Sequence, residues 1–231
     1  MPVTKLSWPG LKEHIRKYFW IYAIGIVVCL FGTDLLWTMT APRIPEERQV
    51  VVYMVDTYSN AAPLEDVARD MLSRTRAEDN TLENVEFQPL QFSDPATDYS
   101  GTMVLMTRLT ANECDILLLS PTAMAYMEKG DVLLELDDYL AQGWMADSGL
   151  EPYYAEVEVE DASGEVSGTR RYVAGLRLDD LDRLGTMGAF NNEGAFLAFA
   201  SNSTNLETSM RAAEIMVEDL RGEAENAAAE G

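Results

Sequence analysis

The chain has 231 residues, of which 17 are lysine or arginine and 39 are aspartate or glutamate, and its formal net charge is −22. Four of the basic and two of the acidic residues precede residue 41, which leaves 13 basic and 37 acidic residues in the remainder. Such an acidic surface repels nucleic acid and anionic lipid headgroups, so we expect no nucleic-acid partner. The remainder is long enough to bury one substantial hydrophobic core, or at most two small ones.

The first predicted element is a long apolar helix. The run Tyr18–Thr40 carries one charged residue, Asp34, and its first 20 residues reach roughly 30 Å at ~1.5 Å per residue, the thickness of a bilayer's hydrocarbon core. Tyr18, Trp20 and Tyr22 lie at one end and Trp37 lies near the other, where amphipathic rings prefer the membrane interface. We therefore predict a single transmembrane helix over residues 18–40, in contact with membrane lipid.

The residues that flank this helix predict its orientation. Residues 1–17, the predicted cytoplasmic stub, hold four basic residues and one acidic residue, whereas residues 41–60 hold two basic and three acidic residues. This bias places the N-terminus in the cytoplasm and the rest of the chain outside, at the cell surface. A cleaved signal peptide is the alternative, but a cut after Ala41 would leave the large Met39 at the −3 position and Pro42 after the cut.

Asp34 is unusual within the apolar run. A carboxylate deep in a bilayer costs several kcal/mol and usually marks a function. Because Asp34 lies a few residues from the predicted outer end, its side chain can reach the headgroups. A contact with a partner helix in the membrane is the alternative role.

Residues 41–49 contain two prolines and mixed charge, which predicts a linker. Residues 50–222 are expected to form one α/β domain, and residues 223–231 a flexible acidic tail. In the first half of the domain, apolar runs alternate with amphipathic segments, which predicts a mostly parallel sheet. The predicted strands are Val50–Val55, Val85–Leu90 and Asp115–Leu119, and the predicted helices are Pro63–Arg76, Thr97–Asn112 and Pro121–Glu128.

The second half of the domain has a different pattern. Tyr153–Glu160 and Thr169–Leu178 alternate polar and apolar residues on either side of a turn, which predicts a β-hairpin. A further strand is expected within Glu193–Asn202, and Leu206–Leu220 is expected to form a helix with one buried face. The predicted fold class is therefore α/β, with a mostly parallel sheet and a β-hairpin.

The side-chain inventory limits the chemistry of this domain. The single histidine, His14, lies in the predicted stub, so no triad or zinc site that needs histidine is available outside. Cys114, the single cysteine after the helix, is expected to be a buried apolar side chain. The acidic run at Asp179 lacks the spacing of a calcium-binding loop. We predict no metal, cofactor or catalytic residue, and a cell-envelope hydrolase with a carboxylate pair is the weaker alternative.

One segment resembles a known family. Leu109–Leu140 contains an aspartate that opens an aliphatic strand, a helix, and then the run GDVLLELDDYL at residues 130–140. This order is similar to the extracellular solute-binding proteins of ABC importers, which have the type II periplasmic-binding-protein fold. Residues 171–178 and 196–220 are weaker matches to the same family.

The matched segment carries local predictions of its own. Gly130 is expected to end a helix in a left-handed turn, and the leucines that follow are expected to pack on the core. Asp137 and Asp138 are expected in the first turn of the next helix, where acidic side chains are favourable.

The resemblance implies a binding protein, yet family members have two lobes and roughly twice this length. Residues 143–170 are too few to form a second lobe, so we expect one membrane-anchored lobe. Its implied role is a non-catalytic accessory of an ABC transporter or another membrane complex. A solute receptor that completes its cleft by dimerising, or with its transporter, is the alternative.

A ligand face of such a lobe would lie at the carboxyl ends of the parallel strands. The polar residues expected there are Asp56, Thr57, Tyr58, Ser59, Ser93, Asp94, Ser120 and Thr122. Hydroxyls, carboxylates and one aromatic ring suit sugars or peptides. The same residue types commonly cap helices and form turns, which is the alternative role for each of them.

Overall fold

The computed structural model describes residues 8–40, 44–130, 132–160 and 166–221. The chain divides into two compact units, Met1–Arg43 and Ile44–Gly231. The predicted tail, the hairpin turn, residues 1–7 of the predicted stub and residues 41–43 of the predicted linker lie outside the described residues. The helices are α1 (Trp8–Thr40), α2 (Glu65–Thr75), α3 (Tyr99–Thr110), α4 (Pro121–Met127), α5 (Asp137–Ala141), α6 (Asp182–Thr186) and α7 (Leu206–Arg221). The strands are β1 (Gln49–Asp56), β2 (Asn84–Gln91), β3 (Ile116–Leu119), β4 (Pro152–Glu160), β5 (Val166–Arg177) and β6 (Phe196–Phe199).

The first unit contains α1, which begins earlier than the predicted helix. Its backbone departs from helical geometry at Tyr18 (φ −110°, ψ 16°), the residue at which we predicted the membrane segment to start. Within α1, His14–Thr38 is long and apolar enough to cross a membrane, and no residue of its most apolar stretch is buried. Trp20 and Phe31, for example, are 76% and 74% exposed.

The second unit is built on one sheet with the strand order β2-β1-β3-β6-β5-β4. β1 lies parallel to β2 and β3, whereas β6 is antiparallel to β3 and β5, and β4 is antiparallel to β5. The expected hairpin is therefore present as β4 and β5. The expectation of a mostly parallel sheet is wrong, because the described sheet is mixed.

The direction of β6 could not be inferred from its residues. All four residues of β6 are buried, and the sheet carries helices on both faces. An apolar run of this kind indicates burial on both faces in a parallel or an antiparallel strand alike.

Each central strand contributes to two hydrophobic cores, one on each face of the sheet. In β1, Val52 and Met54 pack with residues of α2 and α7, whereas Val51, Tyr53 and Val55 pack with residues of α3 and α4. The domain is thus a sheet between two helical layers. This arrangement accounts for the unbroken apolar run in β1, since every position faces one of the cores.

Asn112, rather than Gly130, is the left-handed residue of the segment that resembles solute-binding proteins. Asn112 has φ 56° just after α3, and its N–H donates to the Leu109 carbonyl (3.1 Å) while the Glu113 N–H donates to the Arg108 carbonyl (3.1 Å). Asparagine tolerates this conformation at a helix end. The prediction for Gly130 is wrong because that residue lacks a positive φ, and its N–H closes a tight turn onto the Met127 carbonyl (3.1 Å).

The leucines after Gly130 do pack on the sheet, as expected. The N–H of Leu134 donates to the Phe199 carbonyl and the N–H of Leu136 donates to the Val173 carbonyl, both at 2.9 Å. This segment therefore lies between β6 and β5, and Leu136 is fully buried. Asp137 opens α5, as predicted, and its carboxylate also accepts the N–H of Val173 (2.9 Å).

Three carboxylates surround one arginine where α2 meets α7. Arg74 donates to Asp70 (3.4 Å), Asp219 (3.2 Å) and Glu218. One oxygen of Asp219 is buried without a hydrogen-bond partner among the described residues. Burial, together with the charge of Asp70, raises the pKa of Asp219 to about 6.

We expect this carboxyl to make the domain more stable at mildly acidic pH. Its folded-state pKa lies above the ordinary value of 3.8, so its contribution is fully present below pH 3.8 and is lost as the pH rises through about 6. After allowance for partial exposure, replacing Asp219 with asparagine should raise stability at pH 7 by on the order of 1 kcal/mol, or roughly 2–4 °C in Tm. Thermal unfolding of both proteins from pH 4 to 8 measures the difference. A difference that stays constant over this range would contradict the assignment.

Candidate functional site

The carboxyl ends of β1, β2 and β3 meet at one edge of the sheet, which we call the carboxyl edge. The Phe92 N–H donates to the Asp56 carbonyl (2.9 Å) and the Ser120 N–H donates to the Val55 carbonyl (3.0 Å). The three loops that carry the predicted ligand residues are therefore neighbours. β5 ends and β6 begins at the same edge, because Phe196 pairs with both Leu119 and Arg177.

The loop after β1 contains two side chains that serve the loop itself and two that project into solvent. The Thr57 N–H donates to the Asp56 carboxylate (2.7 Å), and the Ser59 hydroxyl donates to the Met54 carbonyl (3.1 Å). Burial raises the pKa of the Asp56 carboxyl above its ordinary value. Thr57 is exposed and Tyr58 is 70% exposed, so both are available to another molecule.

The loop after β2 is held by its own hydrogen bonds. The Ser93 N–H and hydroxyl both donate to one oxygen of Asp98 (3.3 and 3.1 Å), and the Asp94 carboxylate accepts the N–H of Ala96 (2.9 Å). Asp98 also caps α3 by accepting the N–H of Gly101 (2.8 Å). These hydrogen bonds lower the pKa of Asp98. Ser93 and Asp94 thus act as turn formers, and Asp98 is a structural residue that we did not single out.

The loop after β3, like the loop after β1, has one side chain that serves the fold and one that is exposed to solvent. Ser120 is buried, and its hydroxyl accepts the N–H of Ala123 (3.4 Å) at the start of α4. Thr122, one residue into the helix, is exposed. The two hydroxyls therefore have different roles, although the sequence suggested the same role for both.

We expect the two hydroxyls to respond differently to truncation. Replacing Ser120 with alanine should lower stability by about 0.5–2 kcal/mol because α4 loses its cap. The exposed Thr122→Ala variant is the matched control and should change stability by about 0.5 kcal/mol or less. Urea unfolding of the two variants measures both values, and equal losses would contradict the capping role.

Residues from the second half of the chain also reach this edge, and sequence reasoning missed their part in it. Arg177 donates to the Asp179 carboxylate (2.8 Å), whose other oxygen accepts the N–H of Gly194 (2.6 Å). Both hydrogen bonds lower the pKa of the Asp179 carboxyl, and the bond from Gly194 has the larger effect. Asn192 donates to the Asp179 carbonyl (3.0 Å). Asp179 therefore fixes the loop that precedes β6.

Two grooves lie beside β2, on opposite faces of the sheet. The α3 groove has a volume of ≈ 610 Å³ and runs along Gln88–Gln91. The α2 groove has a volume of ≈ 480 Å³ and runs along Asn84–Phe87. Of the eight predicted ligand residues, Ser93 alone lines either groove.

The edge and the grooves offer hydrogen-bonding and apolar contacts. Among the residues that the structure describes, no three histidine, cysteine or carboxylate side chains are grouped to hold a metal ion. Cys114 is fully buried, as expected, and burial raises the pKa of its thiol to about 12. The arrangement suits non-covalent binding by exposed hydroxyl and aromatic side chains.

No protein-family model matches the chain, and no curated protein matches it. One solved structure that it resembles is the oxidised form of OxyR from Corynebacterium glutamicum, which is 12% identical, with 100% of this chain and 80% of that chain covered and a TM-score of 0.31. Another is a TRAP periplasmic solute-binding protein from Sulfurospirillum deleyianum with bound succinate. It is 11% identical, the match covers 80% of this chain and 83% of that chain, and the TM-score is 0.30. Neither likeness is close enough to assign a function.

Proposed function

We propose that the chain is a membrane-anchored, extracytoplasmic binding protein without catalytic activity, which serves as an accessory of a membrane complex such as an ABC transporter. The observation that carries this proposal is the helix His14–Thr38, whose apolar side chains are exposed. Exposed apolar side chains over this length are unfavourable in water, and a helix of this length can cross a bilayer.

The charges beside the helix support the proposed orientation. Lys12, Arg16 and Lys17 lie at its N-terminal end, before the uncharged run that starts at Tyr18, and basic residues prefer the cytoplasmic face. The acidic α/β domain then lies outside the cytoplasm. Asp34 is exposed on α1 and is proposed to face the headgroups or a partner helix.

The carboxyl edge supports an accessory role better than deep capture of a solute. The hydroxyls of Ser59, Ser93 and Ser120 are occupied by local hydrogen bonds, so the exposed polar groups among the predicted ligand residues are those of Thr57, Tyr58, Asp94 and Thr122. Small ligands bind tightly where most of their surface is enclosed. An open edge on a single lobe is better suited to contact a protein.

One observation favours the rival, a solute receptor whose cleft is completed by a second copy or by its transporter. Tyr58 is 70% exposed and adjoins the half-buried Asp56 at the carboxyl edge. A second surface placed over this pair would enclose an aromatic ring and a carboxylate, which suits a sugar or a peptide.

Purification of the full-length chain from membranes in a mild detergent tests the proposal. We expect a membrane protein to co-purify in near-stoichiometric amounts, and we expect no change in Tm with sugars or amino acids. If the chain is a receptor, a ligand at 100 times its Kd should instead raise the free energy of unfolding by ~2.7 kcal/mol, which corresponds to a rise in Tm of roughly 5–10 °C. Such a gain, lost in Tyr58→Ala but kept in the exposed control Tyr99→Ala, would support the rival and contradict the accessory role.

A further inference from the structure

The outer edge of β2 is a strand edge that no other strand covers within the described residues. β2 ends the sheet and pairs only with β1 on its inner side. Alternate residues of a strand direct their backbone groups to the same side. Since the Phe92 N–H points to β1, the residues at odd positions from Val85 to Gln91 direct their backbone groups outward. These groups form a template for one more strand.

The two grooves lie where the side chains of an added strand would project. Side chains of a strand alternate between the two faces of its sheet. A strand added along β2 would therefore place side chains into the α2 groove beside the first half of β2 and into the α3 groove beside the second half. The α2 groove is walled by apolar side chains, among them Leu64, Ala68, Leu72 and Phe87.

The α3 groove is lined instead mostly by polar groups, with the uncharged Gln88, Gln91, Thr97 and Ser100 among them, and it also contains the charged residues Asp98 and Arg108. Tyr53 also lines this groove. It is 3% exposed, and its hydroxyl makes no hydrogen bond with the described residues. The oxygen of this hydroxyl opens onto the groove, so a ligand there can act as its hydrogen-bond partner. Burial also raises the pKa of Tyr53 to about 12, so the group is a neutral hydroxyl.

The charges around the grooves indicate what the added strand carries. In the α3 groove, Arg108 is paired with Glu113, and the Asp98 carboxylate accepts hydrogen bonds from Ser93 and Gly101, so both charged groups already have partners within the domain. At the α2 groove, Glu65 and Glu86 make no ion pair with the described residues, whereas Arg69 is paired with Asp66. An occupant that complements these charges is basic at its end beside the α2 groove and uncharged beside the α3 groove.

A proline makes a second copy of this chain a poor occupant. Pro89 lies at an outward-facing position of β2, so both edges of a pair of copies would lack a donor there. Proline in an edge strand is a known protection against pairing between like edges. A partner strand with its own donors loses one hydrogen bond of the ladder and keeps the others.

We infer that an extended segment of a partner protein adds to the outer edge of β2, with apolar side chains in the α2 groove and uncharged polar side chains in the α3 groove. This inference rests on the proposed accessory function and identifies the surface that the partner contacts. Backbone hydrogen bonds to β2 provide affinity, and the two grooves select the side chains.

Synthetic peptides can test this inference on the full-length chain in detergent. The probe is a fluorescein-labelled peptide with two halves. One half has a basic end and alternates leucine and threonine, to match the α2 groove. The other half alternates glutamine and threonine, to match the α3 groove. A second probe has the two halves in the reverse order, because a strand can add in either direction. Fluorescence polarisation should show saturable binding of one probe. N-methylation of alternate residues on one side of that probe should abolish binding, while N-methylation on the other side should preserve it.

Two variants test whether the bound peptide occupies the α3 groove. Tyr53→Phe removes a hydroxyl that has no partner within the described residues, so Tm should not fall, while probe affinity should fall about threefold to tenfold. Val104→Trp fills the α3 groove from an exposed position and should weaken binding by about tenfold or more. The matched control, Thr110→Trp, is exposed on α3 away from the groove and should bind as the parent does.

Any one of three results would overturn the inference. Neither probe binds, N-methylation leaves binding unchanged, or light scattering shows a dimer of the chain whose formation blocks the probe. A membrane partner that co-purifies equally with the parent and with Val104→Trp would keep the proposed function and reject this surface. If no membrane partner co-purifies with the parent chain, the proposed function itself is rejected.

Discussion

We expect that replacing both Ile26 and Leu30 with arginine releases the chain from the membrane. Both side chains lie near the middle of the apolar helix and are 60% and 66% exposed. An arginine at the centre of a membrane helix costs ~2.5–3.5 kcal/mol on insertion scales, so two cost roughly 5–7 kcal/mol, more than a thousandfold in the insertion equilibrium. Fractionation of cells after alkaline extraction measures the distribution of the chain.

The matched control for this variant exchanges the two apolar residues, Ile26→Leu with Leu30→Ile. It keeps the length and hydrophobicity of the helix, so the chain should stay in the membrane fraction. If the arginine variant also stays there after extraction, the helix is not the anchor and the proposed localisation is wrong.

The second large effect is expected at Gly175 in β5. A Cβ at this position would lie 2.6 Å from the Leu197 carbonyl oxygen, closer than real Cβ contacts allow, and 3.4 Å from Met124. The backbone of β6 has little room to move because both faces of the sheet are covered. Gly175→Ala should therefore destabilise the domain by about 1–3 kcal/mol, or roughly 2–12 °C in Tm.

Gly168 offers a matched control in the same strand. A Cβ there would meet nothing within 4 Å. Gly168→Ala should keep or slightly raise Tm, because alanine reduces the freedom of the unfolded chain. Calorimetry of both variants measures the contrast. Equal changes would mean that the close approach of β5 to β6 does not exist in solution.

Element positions followed closely from the sequence because burial on one or both faces leaves a strong pattern. The predicted strand Val85–Leu90 differs from β2 by one residue at each end, and the predicted helix Pro121–Glu128 differs from α4 by one residue at its end. The alternation that predicted a hairpin persists in β4 and β5 because one face of that pair remains exposed.

Strand direction and order depend on contacts between distant residues, and these leave no local pattern. Asp115 illustrates this. It was predicted only to open a strand, yet it is buried, and its carboxylate accepts the N–H of Val51 (3.0 Å) and the hydroxyl of Ser203 (2.7 Å). Burial raises the pKa of this carboxyl. Its partners lie 64 and 88 residues away, so no window of sequence contains them.

The meeting of the strand ends was predictable from the sequence, whereas the roles of the individual side chains there were not. The carboxyl ends of the first three strands do meet, because parallel strands with crossover helices end at one edge. Whether a hydroxyl caps a helix or faces solvent depends on one or two positions, as Ser120 and Thr122 show. The grooves beside β2 could not be predicted, since they exist only because β2 lies at the end of the sheet.

Labelling of single cysteines on intact cells tests the central claim that the α/β domain lies outside on a membrane anchor. In a Cys29→Ser background the remaining Cys114 is fully buried, so a membrane-impermeant maleimide should report only an introduced cysteine. We expect Glu156→Cys, on the exposed side of β4, to be labelled on intact cells, and Lys12→Cys to be labelled only after permeabilisation. The reverse pattern would place the domain in the cytoplasm and contradict the account.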